Sequence, residues 1–278
     1  MDFDKHGLSI GILSHNGDRV LEECVECILE QELPERCEIF IVDNNSPSEI
    51  EEDTAMRHGF RLIKADNKYH FITGLNTVFK KAKYKTVLFV SNDVFFRPGA
   101  IMTLYKTAKF GSIVQPVFYG MDGKIQNAGM NYIWPGYGIG RKKKEHFDMI
   151  EEMITTTALA MNKEVFEKIG EFDTNFDPAF CEDNDYSIRA WKLGIKTIVD
   201  MQAEADHGTS HTFSHMKMDK TISQICHENR LKVIRKHFTG LDKWSRLIAM
   251  QIIDHTWYLL RDFLQALRRV YQGADELK

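Results

Sequence analysis

From residue 8 onward the chain alternates short runs of Val, Ile, Leu and Phe with longer stretches whose apolar residues recur every three or four positions. The runs are LSIGILSHN, EIFIVDNNS, RLIKADN, TVLFVSND and GSIVQPVFY. Between them lie VLEECVECILEQEL, the charged stretch Glu49–His58, TGLNTVFKKAK and a segment after Pro98-Gly99. Strands that are apolar throughout must be covered on both faces, so this alternation predicts an α/β chain with a mostly parallel central sheet flanked by helices. A strand TTTALAMN, a helix KEVFEKIG, a helix from Glu182 to Gly194 and a strand KTIVD follow. With 278 residues, 43% of them hydrophobic, the chain can bury a sizeable core, which excludes disordered and collagen-like architectures.

In such sheets ligands bind beyond the carboxyl ends of the strands. Those ends read Ser14-His15-Asn16, Asp43-Asn44-Asn45-Ser46, Asp66-Asn67 and Ser91-Asn92-Asp93. Turn chemistry explains any one of them. Four polar exits on one edge point to a polar ligand. The charge balance, 36 Lys and Arg against 40 Asp and Glu, gives no general reason to bind nucleic acid.

Five cysteines without even spacing, and no basic segment before the first apolar run, read as a reduced, cytoplasmic protein. Cys24 and Cys27 lie on the apolar face of a helical pattern, with no second pair to close a zinc site, and no apolar run reaches membrane-spanning length. Residues 120–162 mix glycine and aromatic residues with the basic cluster Arg141-Lys142-Lys143-Lys144. They are expected to form a loop that moves or stacks on a ligand, the cluster serving either as solvated surface or as a phosphate contact.

Three carboxylates, Glu182, Asp183 and Asp185, open the helix that ends at Gly194. Capping accounts for one or two acidic residues in a first turn, but not for three. An Asp there suits a general base, with a second carboxylate and Arg189, one turn on, to orient it. Asp93 closes a buried strand, where a carboxylate can hold Mg²⁺ or Mn²⁺ against substrate phosphates. His207 follows a strand in a Gly/Ser/Thr loop and is a second candidate metal or diphosphate ligand.

These residues carry a resemblance. SIGILSHN, IFIVDNNS, the stretch from Asn67 to Asn76 with Gly74, LFVSNDVFFRPG, DGKIQNAG, ALAMNKEVFEKIGEFDTNF, CEDNDYSIRAWKLG and HGTS stand in the order seen in family 2 glycosyltransferases, the rhamnosyltransferase-type members above all. The resemblance covers about Ser9 to Ser210 and implies the glycosyltransferase-A fold. It implies an inverting transfer of a sugar from a nucleoside diphosphate sugar to a hydroxyl of a glycan or lipid-linked saccharide. Asp183 would be the base. Asp93, with His207, would hold the divalent metal on the donor diphosphate. Ser14, Asn16, Asp43, Asn45, Asn67, Gly74, Asn76 and Asn92 would meet the donor, and Glu182, Asp185 and Arg189 the acceptor. Ser91-Asn92-Asp93 keeps only the last carboxylate of the family's Asp-x-Asp pattern, His70 stands where Gly often precedes Phe71, and Thr157-Ala158 replaces a Gly-Ala pair. A nucleotidyltransferase would call for a glycine-rich basic loop that SHNGDRVLEEC does not supply, and a non-catalytic binding module would have no use for the Glu182-Asp183 pair.

The resemblance divides the chain into a catalytic domain over 1–214, its nucleotide half about 1–119 and its acceptor half about 120–214, and a helical extension over 215–278. In the extension Trp244, Leu247, Ile248, Ile252, Leu259, Phe263, Leu267 and Val270 recur at helical spacing. That face is expected to pack on the catalytic domain or a second subunit. Arg261, Arg268 and Arg269 beside Trp257, Tyr258 and Tyr271 also suit docking on the inner face of an anionic membrane.

Overall fold

The computed structural model describes residues 6–65, 70–144, 149–208 and 221–253. The first half alternates as the sequence predicts: β1 (Leu8–Ser14), α1 (Asp18–Leu29), β2 (Cys37–Asp43), α2 (Ile50–His58), β3 (Arg61–Lys64), α3 (Phe71–Lys81), β4 (Thr86–Ser91), β5 (Val94–Phe96), α4 (Ala100–Ala108) and β6 (Ile113–Gly120). The second half adds β7 (Ile125–Asn127), β8 (Met130–Ile133), β9 (Tyr137–Gly140), β10 (Met149–Glu151), β11 (Ala158–Asn162), α5 (Lys163–Ile169), α6 (Glu182–Lys192), β12 (Thr197–His207) and α7 (Ile222–His237). Residues 240–253 are again helical.

Among the described residues one ten-stranded sheet crosses both halves, in the order β10-β12-β6-β11-β4-β1-β2-β3, with β5 on β12 and β7 on β6. The strands β1, β2, β3 and β4 pair in parallel, as do β6 and β12. Because β11 runs antiparallel to both β4 and β6, the carboxyl ends of β1, β4 and β12 share one edge with the amino end of β11. Alternation along β1 feeds two cores. Leu8, Ile10 and Ile12 pack with α1 and α4, while Leu13 packs with α3, α5 and α6. Within α1, Leu21, Cys24, Val25 and Ile28 form the buried face, so Cys24 and Cys27 are helix-packing residues.

Two expectations change here. Residues 120–162 are largely paired strands rather than one loop, with β8 and β9 forming their own two-stranded sheet. Within the basic cluster Arg141 pairs with Glu152, Lys142 donates to the Gln126 carbonyl and Lys144 pairs with Glu204, so three of its four side chains bond to the protein's own groups. Of the helical face predicted in the extension, the described residues divide in two. Leu247 and Met250 pack against Leu231 and Ile234 of α7, but Trp244, Ile248 and Ile252 remain 63%, 58% and 60% exposed, continuing a stripe that begins at Leu241. The boundary near 214, Asp66, Asn67, Thr209 and Ser210, and the aromatic and basic residues from Trp257 onward lie outside the described residues. Among the described residues no helix is long and apolar enough to cross a membrane.

Candidate active site

The shared strand edge opens into a cavity of about 410 Å³. Ser91 and Asp93 enter it from the end of β4, Thr155, Thr156 and Thr157 from the approach to β11, and His207 from the end of β12. Ala179, Phe180, Cys181, Glu182 and Asp183 come from the start of α6, and Phe71 and Ile222 from the first residues of α3 and α7. The three candidates given chemical roles, Asp93, Asp183 and His207, therefore meet in one place although they lie far apart in the chain.

Asp93 is buried and its Oδ2 lies 3.5 Å from His207 Nε2. The strand KTIVD runs on to His207 instead of ending before it, and pairs His207 with Val94 of β5. A further bond, Gly208 N–H to the Asp93 carbonyl at 2.9 Å, ties the two segments together. The second ring nitrogen of His207 is 2.6 Å from Gln126 Oε1 on β7. Nothing in the sequence singled out Gln126, because its role depends on a strand pairing made only in three dimensions.

Glu182 and Asp183 begin α6 after Phe180 and Cys181, two residues with left-handed φ of 76° and 68°. Glu182 Oε1 accepts the Thr156 hydroxyl at 2.6 Å, while its buried Oε2 has no hydrogen-bond partner among the described residues. Burial raises the Glu182 carboxyl above its ordinary range. Burial, and then the charge of Glu182, hold Asp183 well above its own. Asp183 Oδ1 accepts the Asn184 N–H at 2.7 Å. A carboxylate with raised proton affinity on a cavity wall has the chemistry of a general base.

Other candidates are spent elsewhere. Asp185 is fully buried between two cations, Arg189 Nε at 2.9 Å and Lys236 Nζ at 2.8 Å, and the His237 ring, its Nε2 at 2.7 Å. Arg189 also donates to the Ile169 and Glu171 carbonyls. Both residues join α6 to α7 and the loop after α5, and neither lines the cavity. Asn76 exchanges two 2.9 Å hydrogen bonds with the backbone of Phe172. Gly74 lets α3 approach β1, since a Cβ there would sit 2.5 Å from Leu13 Cδ1. The Ser14 hydroxyl donates to Glu51 Oε1 at 2.8 Å and accepts from Asn92 Nδ2 at 3.0 Å, so Ser14 and Asn92 form a buried network with Glu51, which the sequence placed only on a charged helix.

The loops after β1 and β2 are joined through Ser46, whose N–H donates to Asp43 Oδ1 and whose hydroxyl accepts the Asn16 N–H. Asn16 and Asn45 are exposed there at positive φ, which Asn tolerates better than most side chains.

Asp93 and His207 together offer one carboxylate oxygen and one imidazole nitrogen. Among the described residues no group of three or more His, Cys, Asp or Glu side chains is placed to hold a metal ion. A two-residue set fits a divalent ion that takes its remaining ligands from phosphate and water, as Mg²⁺ and Mn²⁺ do.

The sequence profile described as Glycosyl transferase family 2 matches residues 9–170. No curated protein sequence matches the chain. Among solved structures, GalNAc-T7 with UDP, GalNAc and Mn²⁺ superposes with a TM-score of 0.67 at 16% identity, over 82% of this chain and 48% of that one. S. aureus TarS 1-349 in complex with UDP-GlcNAc superposes with a TM-score of 0.61 at 12% identity, over 87% and 69% of the two chains. The chain thus spans about half the length of the first and about two thirds of the second.

Proposed function

Since the chain belongs to glycosyl transferase family 2 and has the glycosyltransferase-A fold, we propose that it moves a sugar from a nucleoside diphosphate sugar to an acceptor hydroxyl, in one displacement that inverts the anomeric centre. The observation that carries this reading is that Asp183, Asp93 and His207 line the same cavity.

In the proposed reaction Asp183 takes the acceptor proton as the acceptor oxygen attacks the anomeric carbon, and the bond to the diphosphate breaks on the opposite face. Asp93 and His207 are the residues that would hold a divalent metal. When bound, the metal would offset charge on the diphosphate. Asp43, Asn16 and Asn45 are assigned to the nucleotide, on the loops joined through Ser46. Glu182 sets the charge around the base. UDP in both neighbours favours a uridine nucleotide, and the sequence resemblance to rhamnosyltransferase-type members favours a deoxyhexose. A lipid-linked saccharide on the cytoplasmic side is the proposed acceptor, the exposed stripe of Leu241, Trp244, Ile248 and Ile252 giving apolar surface on the element that packs against α7.

A panel of nucleoside diphosphate sugars with Mn²⁺, assayed for nucleotide release with and without acceptor, tests the reading. One donor should be consumed. Asp183→Asn should lose transfer by about 10²-fold or more while keeping donor affinity, and full activity in that variant would overturn the base assignment.

A further inference from the structure

Two successive residues other than glycine, Phe180 and Cys181, hold left-handed backbone immediately before the helix that carries Asp183. L side chains avoid that region, and such a conformation persists only where surrounding contacts fix it. The contacts come from α7. Asn229, 2% exposed in the middle of that helix, donates from one carboxamide nitrogen to the carbonyls of Phe176, Ala179 and Phe180 at 2.9, 3.0 and 2.9 Å. Its oxygen accepts Lys232 Nζ at 2.8 Å, and the same ammonium reaches the Asn175 carbonyl. Only the nitrogen end can face three carbonyls while the oxygen faces an ammonium, so chemistry fixes the orientation of the amide. A buried polar residue on the packed face of a helix is costly unless its bonds are made, and here they are made to one loop.

That loop decides where α6 starts. The Cys181 carbonyl accepts the Asp185 N–H at 3.0 Å, closing the first turn that contains Glu182 and Asp183. The first residue of α7, Ile222, also lines the cavity. We infer that Asn229 is a positioning residue for the transfer, holding the loop 176–181 in the conformation that presents Asp183 to the cavity, so that the catalytic unit includes α7. The inference rests on the reading of Asp183 as the base, and it places a required element beyond the residues 9–170 matched by the family.

The test compares wild type with Asn229→Ala and Asn229→Asp. The Asp variant has the same size, no donor, and a negative charge facing three carbonyls. Hydrogen exchange is measured on peptides covering 176–183 and on β1 and β4, together with kcat and donor KM. Exchange over 176–183 should rise about tenfold while β1 and β4 are unchanged, and kcat should fall about tenfold or more with donor KM within about twofold. Adding Cys181→Gly to Asn229→Ala removes part of the backbone strain, and should recover several-fold of the lost kcat. Wild-type loop exchange, wild-type kcat, or a uniform loss of protection that Cys181→Gly leaves untouched would each overturn the inference. Should the Asp variant fail to fold, Asn229→Ser, which keeps one shorter donor, carries the same comparison. Loop exchange is read without substrate, so it decides the brace even where no sugar donor is turned over.

Discussion

His207 Nε2 stands 3.5 Å from Asp93 Oδ2 while Gln126 Oε1 lies 2.6 Å from the other ring nitrogen. With Gln126 Oε1 as acceptor, the Nδ1–H of His207 is the donor of that bond, which leaves Nε2 as the ring nitrogen turned to Asp93 and open to a metal. Gln126→Ala should therefore weaken Mn²⁺ binding to the UDP-loaded protein by about tenfold, the usual cost of losing such a partner. Gln126→Glu keeps an acceptor at that place and should retain most of the affinity. Calorimetric Mn²⁺ titrations in the presence of UDP check this, and equal isotherms for all three proteins would remove Gln126 from the site.

Glu182 and Asp183 make the reaction sensitive to pH in a predictable direction. Asp183 works as a base only when ionised, and burial followed by the charge of Glu182 keeps its proton on to a higher pH than usual. Glu182→Gln preserves the acceptor for Thr156 and deletes the charge. The acid limb of the kcat/KM profile should move to lower pH, with the plateau little changed. Folding shows the same sign: both carboxyls bind protons more tightly folded than unfolded, so their contribution to stability declines as pH rises through the interval above the ordinary carboxylate range. An acid limb that stays in place in the Gln variant would mean that Glu182 does not set the proton affinity of Asp183.

Asp185 behaves oppositely. Burial alone would raise it, but hydrogen bonds from His237 and Lys236 and the charge of Arg189 hold it down, from an ordinary 3.8 to about 2. A difference of that size is worth about 2.5 kcal/mol at 1.36 kcal/mol per decade. It is fully present above 3.8 and is lost as pH falls toward 2. Asp185→Asn should cost at least about 2 kcal/mol at pH 7 by urea unfolding, with a gap to wild type that narrows below pH 4. A gap independent of pH would show that packing, not charge, is what the variant loses.

The alternation of strands and helices in the first half could be read directly because its strands are apolar on both faces, and the paired carboxylates at the start of α6 because acidic residues there exceed what capping needs. The full length of β12 was hidden. Its later residues alternate Gln202, Glu204 and Asp206 with the buried Ala203 and Ala205, and small apolar residues give a weak strand signal. Asn229, Gln126 and Glu51 were invisible for a different reason. Each is a single polar residue whose partners are carbonyls or side chains from distant elements, and no local pattern encodes which of these will meet it. Asp185 and Arg189, expected near the acceptor from their closeness to Asp183 in sequence, do not line the cavity: Lys236 and His237 arriving from α7 make Asp185 a helix-to-helix anchor, and Arg189 holds the end of α5.

Asn76 separates donor binding from scaffold. Its carboxamide exchanges a pair of hydrogen bonds with Phe172, from a site 2% exposed in the core between α3 and the loop after α5. Asn76→Ala leaves a buried N–H and a buried carbonyl unpartnered, at about 1–3 kcal/mol each. The variant should unfold at lower urea by about 3 kcal/mol in total, and UDP-sugar affinity should be unchanged at a temperature where both proteins are folded. Asn76→Asp restores the acceptor for the Phe172 N–H but sets a carboxylate against the Phe172 carbonyl, so its stability should not return to wild type. Calorimetry on both variants decides the matter: a loss of donor affinity with stability intact would return Asn76 to the donor site and leave the Phe172 contacts without the scaffolding role given to them here.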